Sequence, residues 1–239
     1  MSEPTEQTAM PGESVAVLSM RDVQFAYPRT AALRGVNLDV AAGEVVAVTG
    51  RSGSGKSTLL HVAAGLLRPA SGTVHVLGQE VGALPDAAAS SLRRKHVGLV
   101  LQHGLLVPEL SVLANVTLPL VLEGTQQRAS AQALAHDWLT RLEVADLATA
   151  FPGELSGGQS QRVAVARALV AGPALVLADE PTGSLDSVGG ERLLDLLVSA
   201  CRAGNRALVV VTHDNRVAAV ADREVRLLDG TVEYEAVLT

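Results

Sequence analysis

A chain of 239 residues, 48% hydrophobic and 18% charged, can bury a large core without disulfide staples and is no wholly disordered polymer. It has room for one large α/β domain or two small ones. The net charge of −6, from 19 Lys+Arg against 25 Asp+Glu, argues against a surface made to displace phosphate counterions, so nucleic acid is not an expected partner. The single cysteine, Cys201, excludes an internal bridge, and no Cys/His cluster has zinc-ligand spacing.

The most apolar stretch, Val163 to Ala178, is interrupted by Arg167 and Pro173 and falls short of the roughly 20 residues a membrane-spanning helix needs. The polar, acidic start, MSEPTEQTAMPGES, lacks the cationic and apolar segments of a signal peptide. The expectation is a soluble, intracellular chain. Seventeen arginines against two lysines, with no isoleucine, read as the composition of a GC-rich coding sequence and carry no functional argument.

Residues 1–13 are expected to be a disordered tail, and residues 14–239 a single domain. From Ser14 the pattern is β: VAVLSMRDVQFAY, LRGVNLDV and EVVAVTG, separated by Gly, Pro and Asn. Val45–Thr49 is a short, wholly apolar run of the kind buried on both faces of a sheet. A buried helix over Lys56–Leu67 and a strand over Thr73–Leu77 follow. Between Asp86 and Leu147 the pattern is helical apart from a strand at Val97–Leu101; Leu134, Trp138, Leu139 and Leu142 mark a helix over Gln126–Leu142. Strands and helices then alternate: helix Gln159–Val170, strand Leu175–Ala178, helix Gly190–Cys201, strand Ala207–Thr212 and helix Arg216–Ala221. A hairpin closes the series over Glu224–Val237, around Asp229-Gly230. This alternation predicts an α/β fold with a mainly parallel sheet.

Gly50-Arg51-Ser52-Gly53-Ser54-Gly55-Lys56-Ser57 matches G-x-x-x-x-G-K-[ST] between a predicted strand and a predicted helix. Such a loop wraps a phosphate chain in backbone amides; Lys56 reaches the β- and γ-phosphates and Ser57 ligates Mg²⁺. A metal-binding acid is then expected at the end of a neighbouring strand. Asp179, followed by Glu180, meets that need, with Glu180 able to polarise a water. Leu155-Ser156-Gly157-Gly158-Gln159 opens another helix and is a second anion site, because a capping hydroxyl and unshielded amides share one helix start.

With these motifs in order, the chain resembles an ABC-transporter ATPase subunit over about residues 15–230. The resemblance implies a P-loop NTPase core with a mainly parallel, RecA-like sheet. It further implies an N-terminal antiparallel β subdomain and an α-helical insertion subdomain at about 102–170. It implies ATP and Mg²⁺ as cofactors. Tyr27 is similar to the aromatic that stacks on adenine, and Gln102 to the glutamine that touches Mg²⁺ and the attacking water. Residues 50–57 with Thr58 hold the phosphates, and Asp179 holds the metal with Ser57 and Gln102. Ser156, Gly157, Gly158 and Gln159 are similar to the signature that binds the γ-phosphate of ATP held by a second subunit. Asp186 lies in the loop that crosses the dimer interface. Lys56, Glu180, Gln102 and His213, the switch histidine, are the implied catalytic residues.

Asp179-Glu-Pro-Thr-Gly-Ser-Leu-Asp186 resembles the segment in ATPases of the lipoprotein-releasing and macrolide-export type (LolD/MacB), including the cell-division member FtsE. The implied partners are a second copy of the chain, in an ATP-dependent dimer, and an integral-membrane permease. The implied place is the cytoplasmic face of the cell membrane, peripheral through that permease, with no direct contact to cargo. A regulatory ATPase like FtsE and a permease-independent soluble ABC ATPase stand as alternatives. Three positions depart from the pattern: Leu101 and Gly104, where relatives carry Phe, and Ser160, where they often carry Gln. The segment Gln102–Asn115 is expected to dock the permease, with Leu105, Leu106, Val107 and Leu110 either forming an apolar patch for it or packing the insertion's own core.

Overall fold

The computed structural model describes residues 16–102, 104–124, 127–213 and 215–238. The expected tail at 1–13 lies outside the described residues.

Four strands make an antiparallel sheet in the order β2-β1-β4-β5: β1 (Ala16–Tyr27), β2 (Thr30–Ala41), β4 (Ser71–Val76) and β5 (Gln79–Glu80). The other sheet has six strands in the order β10-β9-β3-β8-β7-β6: β3 (Val45–Thr49), β6 (Val97–Val100), β7 (Leu175–Asp179), β8 (Ala207–Val211), β9 (Arg223–Leu228) and β10 (Thr231–Val237). Strands β9 through β6 run parallel, and only the edge strand β10 is antiparallel.

The apolar runs in β3, β7 and β8 are continuous because each of these strands is covered on both faces. Val45, Ala47, Val176, Ala178, Leu208 and Val210 face one core; Val46, Val48, Leu175, Leu177, Val209 and Val211 face the other. The first core is completed by helices α3 (Val112–Glu123), α4 (Arg128–Arg141), α5 (Gly157–Leu169) and α6 (Ser187–Ala203). The second is closed by α1 (Lys56–Ala63) and the four-stranded sheet. Two further helices, α2 (Asp86–His96) and α7 (Asn215–Val220), complete the α-helices among the described residues.

Two of the helix ends that differ from the sequence reading do so for clear local reasons. Helix α1 stops at Ala63, not Leu67, because Gly65 takes φ +63° and the amides of Leu66 and Leu67 both turn back to the His61 carbonyl. Helix α6 begins three residues earlier than Gly190, since the Asp186 carboxylate caps it by accepting from the Gly189 amide at 2.7 Å. The adjacent glycines 189 and 190, poor helix formers, hide that start from a propensity argument. On α4, Trp138 and Leu139 are buried and Leu142 just beyond it is too, but Leu134 stays exposed, so the apolar stripe there is narrower than the spacing suggests.

Candidate nucleotide site

The carboxyl ends of β3, β6, β7 and β8 open onto one cleft of about 740 Å³, the position where wound parallel sheets take their ligands. After β3 comes the phosphate loop. Its glycines are required by geometry at two points: a Cβ on Gly50 would meet the Leu227 carbonyl at 2.3 Å, and one on Gly55 the Ala32 carbonyl at 2.3 Å. Gly50, Arg51, Ser52, Gly53, Gly55, Lys56, Ser57 and Thr58 all line the cleft. Ser54 does not. Its side chain is buried, with an Oγ that has no hydrogen-bond partner among the described residues. Lys56 Nζ donates to the carbonyls of Gly50 (2.8 Å) and Arg51 (3.0 Å), so the loop's own oxygens hold the ammonium at the loop's rim.

The end of β7 supplies the acids. Asp179 is 5% exposed, and its Oδ1 has no hydrogen-bond partner among the described residues. A buried carboxylate oxygen without a donor is costly unless a cation or its water shell meets it. Glu180 sits at φ +47°, a strained conformation for a non-glycine residue, held by its amide bonding the Val211 carbonyl at 2.9 Å. One carboxylate oxygen lies 2.7 Å from His213 Nδ1, and the other accepts from the Thr212 hydroxyl at 3.3 Å. Those partners sit just past β8, so two adjacent strand ends aim the Glu180 side chain. Gln102, following β6, lines the same cleft.

Among the described residues, no cluster of three His, Cys, Asp or Glu could hold a metal by itself. The oxygens of Asp179, Ser57 and Gln102 around one cleft do fit Mg²⁺, which keeps several waters and takes few protein ligands beside substrate phosphates.

Tyr27, 45% exposed, forms one wall of the cleft; its hydroxyl is 3.5 Å from Thr58 Oγ1 and its ring packs edge-on to Phe25, centroids 5.0 Å apart. Its neighbours Thr30 and Ala32 also line the cleft and escaped the sequence reading, which offered only their closeness to Tyr27 as a signal.

Ser156, Gly157, Gly158 and Asp186 lie elsewhere, in a second cleft of about 430 Å³. Ser156 Oγ accepts from the Gln159 amide at 3.2 Å, while Gln159 Oε1 accepts from the Ser156 amide at 2.8 Å. This reciprocal cap occupies the Gln159 side chain and explains why Gln159 does not line the cleft with its neighbours. Ser184 Oγ donates to the Gly157 carbonyl at 3.2 Å, binding the loop before Asp186 to the helix start. Arg162 and Arg192 line this cleft and were not singled out from the sequence. For Arg162 the signal was available, since it lies four residues, one helical turn, beyond Gly158.

A parallel sheet wound around a phosphate loop, with a strand-end acid pair beside it, defines a P-loop nucleotide hydrolase; a second helix-start cleft is added to it. Known proteins narrow the class further. Residues 33–183 match the family model described as ABC transporter. The chain is 47% identical over 221 residues to the lipoprotein-releasing system ATP-binding protein LolD of Geobacter metallireducens, covering 91% of this chain and 98% of that protein. To the macrolide export ATP-binding/permease protein MacB of Shigella flexneri it is 41% identical over 220 residues, which is 90% of this chain but only 34% of MacB. It therefore spans about a third of that relative. Among solved structures it superposes with a TM-score of 0.88 and 38% identity on the ATP-binding cassette MJ0796, in a dimeric post-hydrolysis state bound to ADP and Pi, covering 93% of this chain and 99% of that one. The chain belongs to the ABC transporter family and is an ATPase of that type.

Proposed function

We propose that this chain hydrolyses ATP with Mg²⁺ in a head-to-tail dimer and thereby drives a membrane permease of the LolD/MacB kind. The observation that carries this reading is the separation of two anion sites. The phosphate loop, Asp179, Glu180 and His213 share one cleft, while Ser156–Gly158 and Asp186 share another. A single subunit leaves the γ-phosphate with one of them, and two subunits related head to tail bring both to it.

In this reading Tyr27 stacks on the base, and the amides of residues 50–57 with the start of α1 receive the phosphates. Lys56 exchanges the Gly50 and Arg51 carbonyls for phosphate oxygens. Ser57, Gln102 and Asp179 hold Mg²⁺, which supplies charge neutralisation at the phosphates when bound. Glu180 takes the proton of the attacking water, and His213 orients Glu180 through the 2.7 Å contact. Ser156, Gly157 and Gly158 of the second copy close over the γ-phosphate.

The likeness to LolD, and to MacB whose name joins ATP binding to a permease, supports a partnership with a membrane permease at the cytoplasmic face of the membrane. Among the described residues, no helix is long and apolar enough to cross a membrane. The domain division proposed is one ABC ATPase domain over 14–239, with the helical part at about 102–170 inserted in the core.

Phosphate release from ATP, with Mg²⁺ and with excess chelator, tests the core of this reading. Hydrolysis that stops with chelator and in Lys56→Ala is expected; turnover at the parental rate in Lys56→Ala would overturn it.

A further inference from the structure

Helix α5 grips the backbone that carries Gln102. Gln102 lies in a tight turn closed by the Gly104 amide donating to the Leu101 carbonyl at 3.0 Å. From the last turn of α5, Arg167 sends one guanidinium nitrogen to the Gly104 carbonyl at 2.8 Å and the other to the Leu105 carbonyl at 3.0 Å. Both acceptor residues are in the left-handed region, at φ +75° and +42°, which turns successive carbonyls toward one fork-shaped donor. Burial lowers the Arg167 pKa from its ordinary value, and among the described residues no carboxylate pairs with it, so the two carbonyls are its hydrogen-bond partners.

The contact surface is small and tight. A Cβ on Gly104 would stand 3.0 Å from the Ser160 carbonyl and 3.5 Å from Ala164 Cβ. Ser160, Ala164 and Arg167 are spaced i, i+4, i+7 and form one stripe of α5 against the loop. Gly104 and Ser160 thus face each other across this contact. The same helix starts at Ser156–Gly158, so one rigid rod carries the second anion site at its head and the grip on the Gln102 turn along its side.

We propose that Arg167 is a positioning residue that locks the Gln102 turn to α5, so that an anion engaged at Ser156–Gly158 sets the place of Gln102 in the other cleft. This rests on the role given to Gln102 above. A structural contact alone lowers stability when broken; a positioning contact lowers turnover through Gln102.

The experiment is a double-mutant cycle on the purified chain with Arg167→Met and Gln102→Ala, reading kcat, the KM for ATP and the melting midpoint. Arg167→Met is expected to lower kcat by about tenfold with KM unchanged, as small misplacements of a reacting group do. The double variant is expected to be no slower than the slower single one. Multiplicative losses would overturn the link between Arg167 and Gln102 while leaving the ATPase assignment standing. Parental kcat in Gln102→Ala would overturn the role of Gln102 itself, and the proposal with it. If Arg167→Met melts too low to assay, Gly104→Ala strains the same contact from the loop side. It is expected to lower kcat and to be non-additive with Gln102→Ala, and parental turnover in Gly104→Ala would overturn the proposal.

Discussion

The orphaned oxygen of Asp179 makes a prediction at the scale of one residue. A buried carboxylate with no donor on Oδ1 is a cost to the empty fold, so Asp179→Asn removes a charge whose loss the fold does not feel. Without nucleotide, that variant is expected to melt no lower than the parent, while the stabilisation that ATP with Mg²⁺ gives the parent is lost. Thermal melts with and without Mg-ATP check both halves, and an Asp179→Asn chain that melts lower yet keeps its Mg-ATP stabilisation would contradict the metal role. Cys201 is a second residue with a definite chemical state. It is fully buried on α6, and burial pushes its thiol up to about 12. Only the thiolate attacks a disulfide reagent, so at pH 8 the native chain is expected to consume none and the denatured chain one equivalent. Rapid labelling of the native chain would show that α6 opens readily.

At the scale of the element, the segment after β6 separates what spacing reveals from what it hides. The four apolar residues 105, 106, 107 and 110 were legible as a patch, but not which way each one faces. Leu105 is 62% exposed, whereas Leu106 is half-buried against the core built by α3, α4 and α5. The Asn115 side chain accepts from the Val107 amide and donates to the carbonyls of Val107, Leu110 and Ser111, pinning the loop on α3. Such an arrangement is irregular backbone, so neither the 3.6-residue nor the two-residue period foretells it. Leu106→Glu is therefore expected to bury a charge and cost about 2 or more kcal/mol, read as a melting midpoint lower by several degrees. Leu105→Glu is expected to leave the midpoint in place and to break co-purification with a permease. Equal melting of the two variants would contradict this division of the loop.

At the scale of the whole molecule, the sheet order was legible only as a class. Alternating apolar strands and helices announce a wound sheet, but β4 pairs with β1 through long-range register that no local pattern encodes. The site was legible where chemistry demands particular residues in a row, as in Gly50–Ser57 and Asp179-Glu180. It was hidden where a side chain could turn two ways. Ser54 turns into the fold, which its neighbours in sequence do not announce, and Gln159 turns back onto its own helix cap, a choice between cap and cleft that the local S-x-x-Q spacing leaves open. Thr30 and Ala32 reach the cleft only because the β1–β2 hairpin folds over the phosphate loop.

The two clefts of one subunit have a consequence for assembly that a single substitution isolates. Glu180→Gln removes the proposed base but keeps the contacts: a Gln side chain can still face His213 and Thr212 with one amide oxygen and one amide nitrogen. The left-handed backbone at 180 is no harder for Gln than for Glu, so the fold is expected to be undisturbed. On the proposed reading, Lys56, Ser57 and Asp179 remain to bind Mg-ATP, but the water is no longer deprotonated, and the γ-phosphate persists. A persistent γ-phosphate keeps the second copy's Ser156–Gly158 engaged, so binding energy otherwise released by hydrolysis holds the pair closed. Light scattering of Glu180→Gln is thus expected to give twice the 24.7 kDa mass of one chain in ATP and the single mass in ADP. Adding Ser156→Ala should weaken the ATP-held pair, because the hydroxyl both caps α5 and faces the second cleft. A single mass for Glu180→Gln in saturating Mg-ATP, with nucleotide demonstrably bound, would mean that the two clefts do not complete one another.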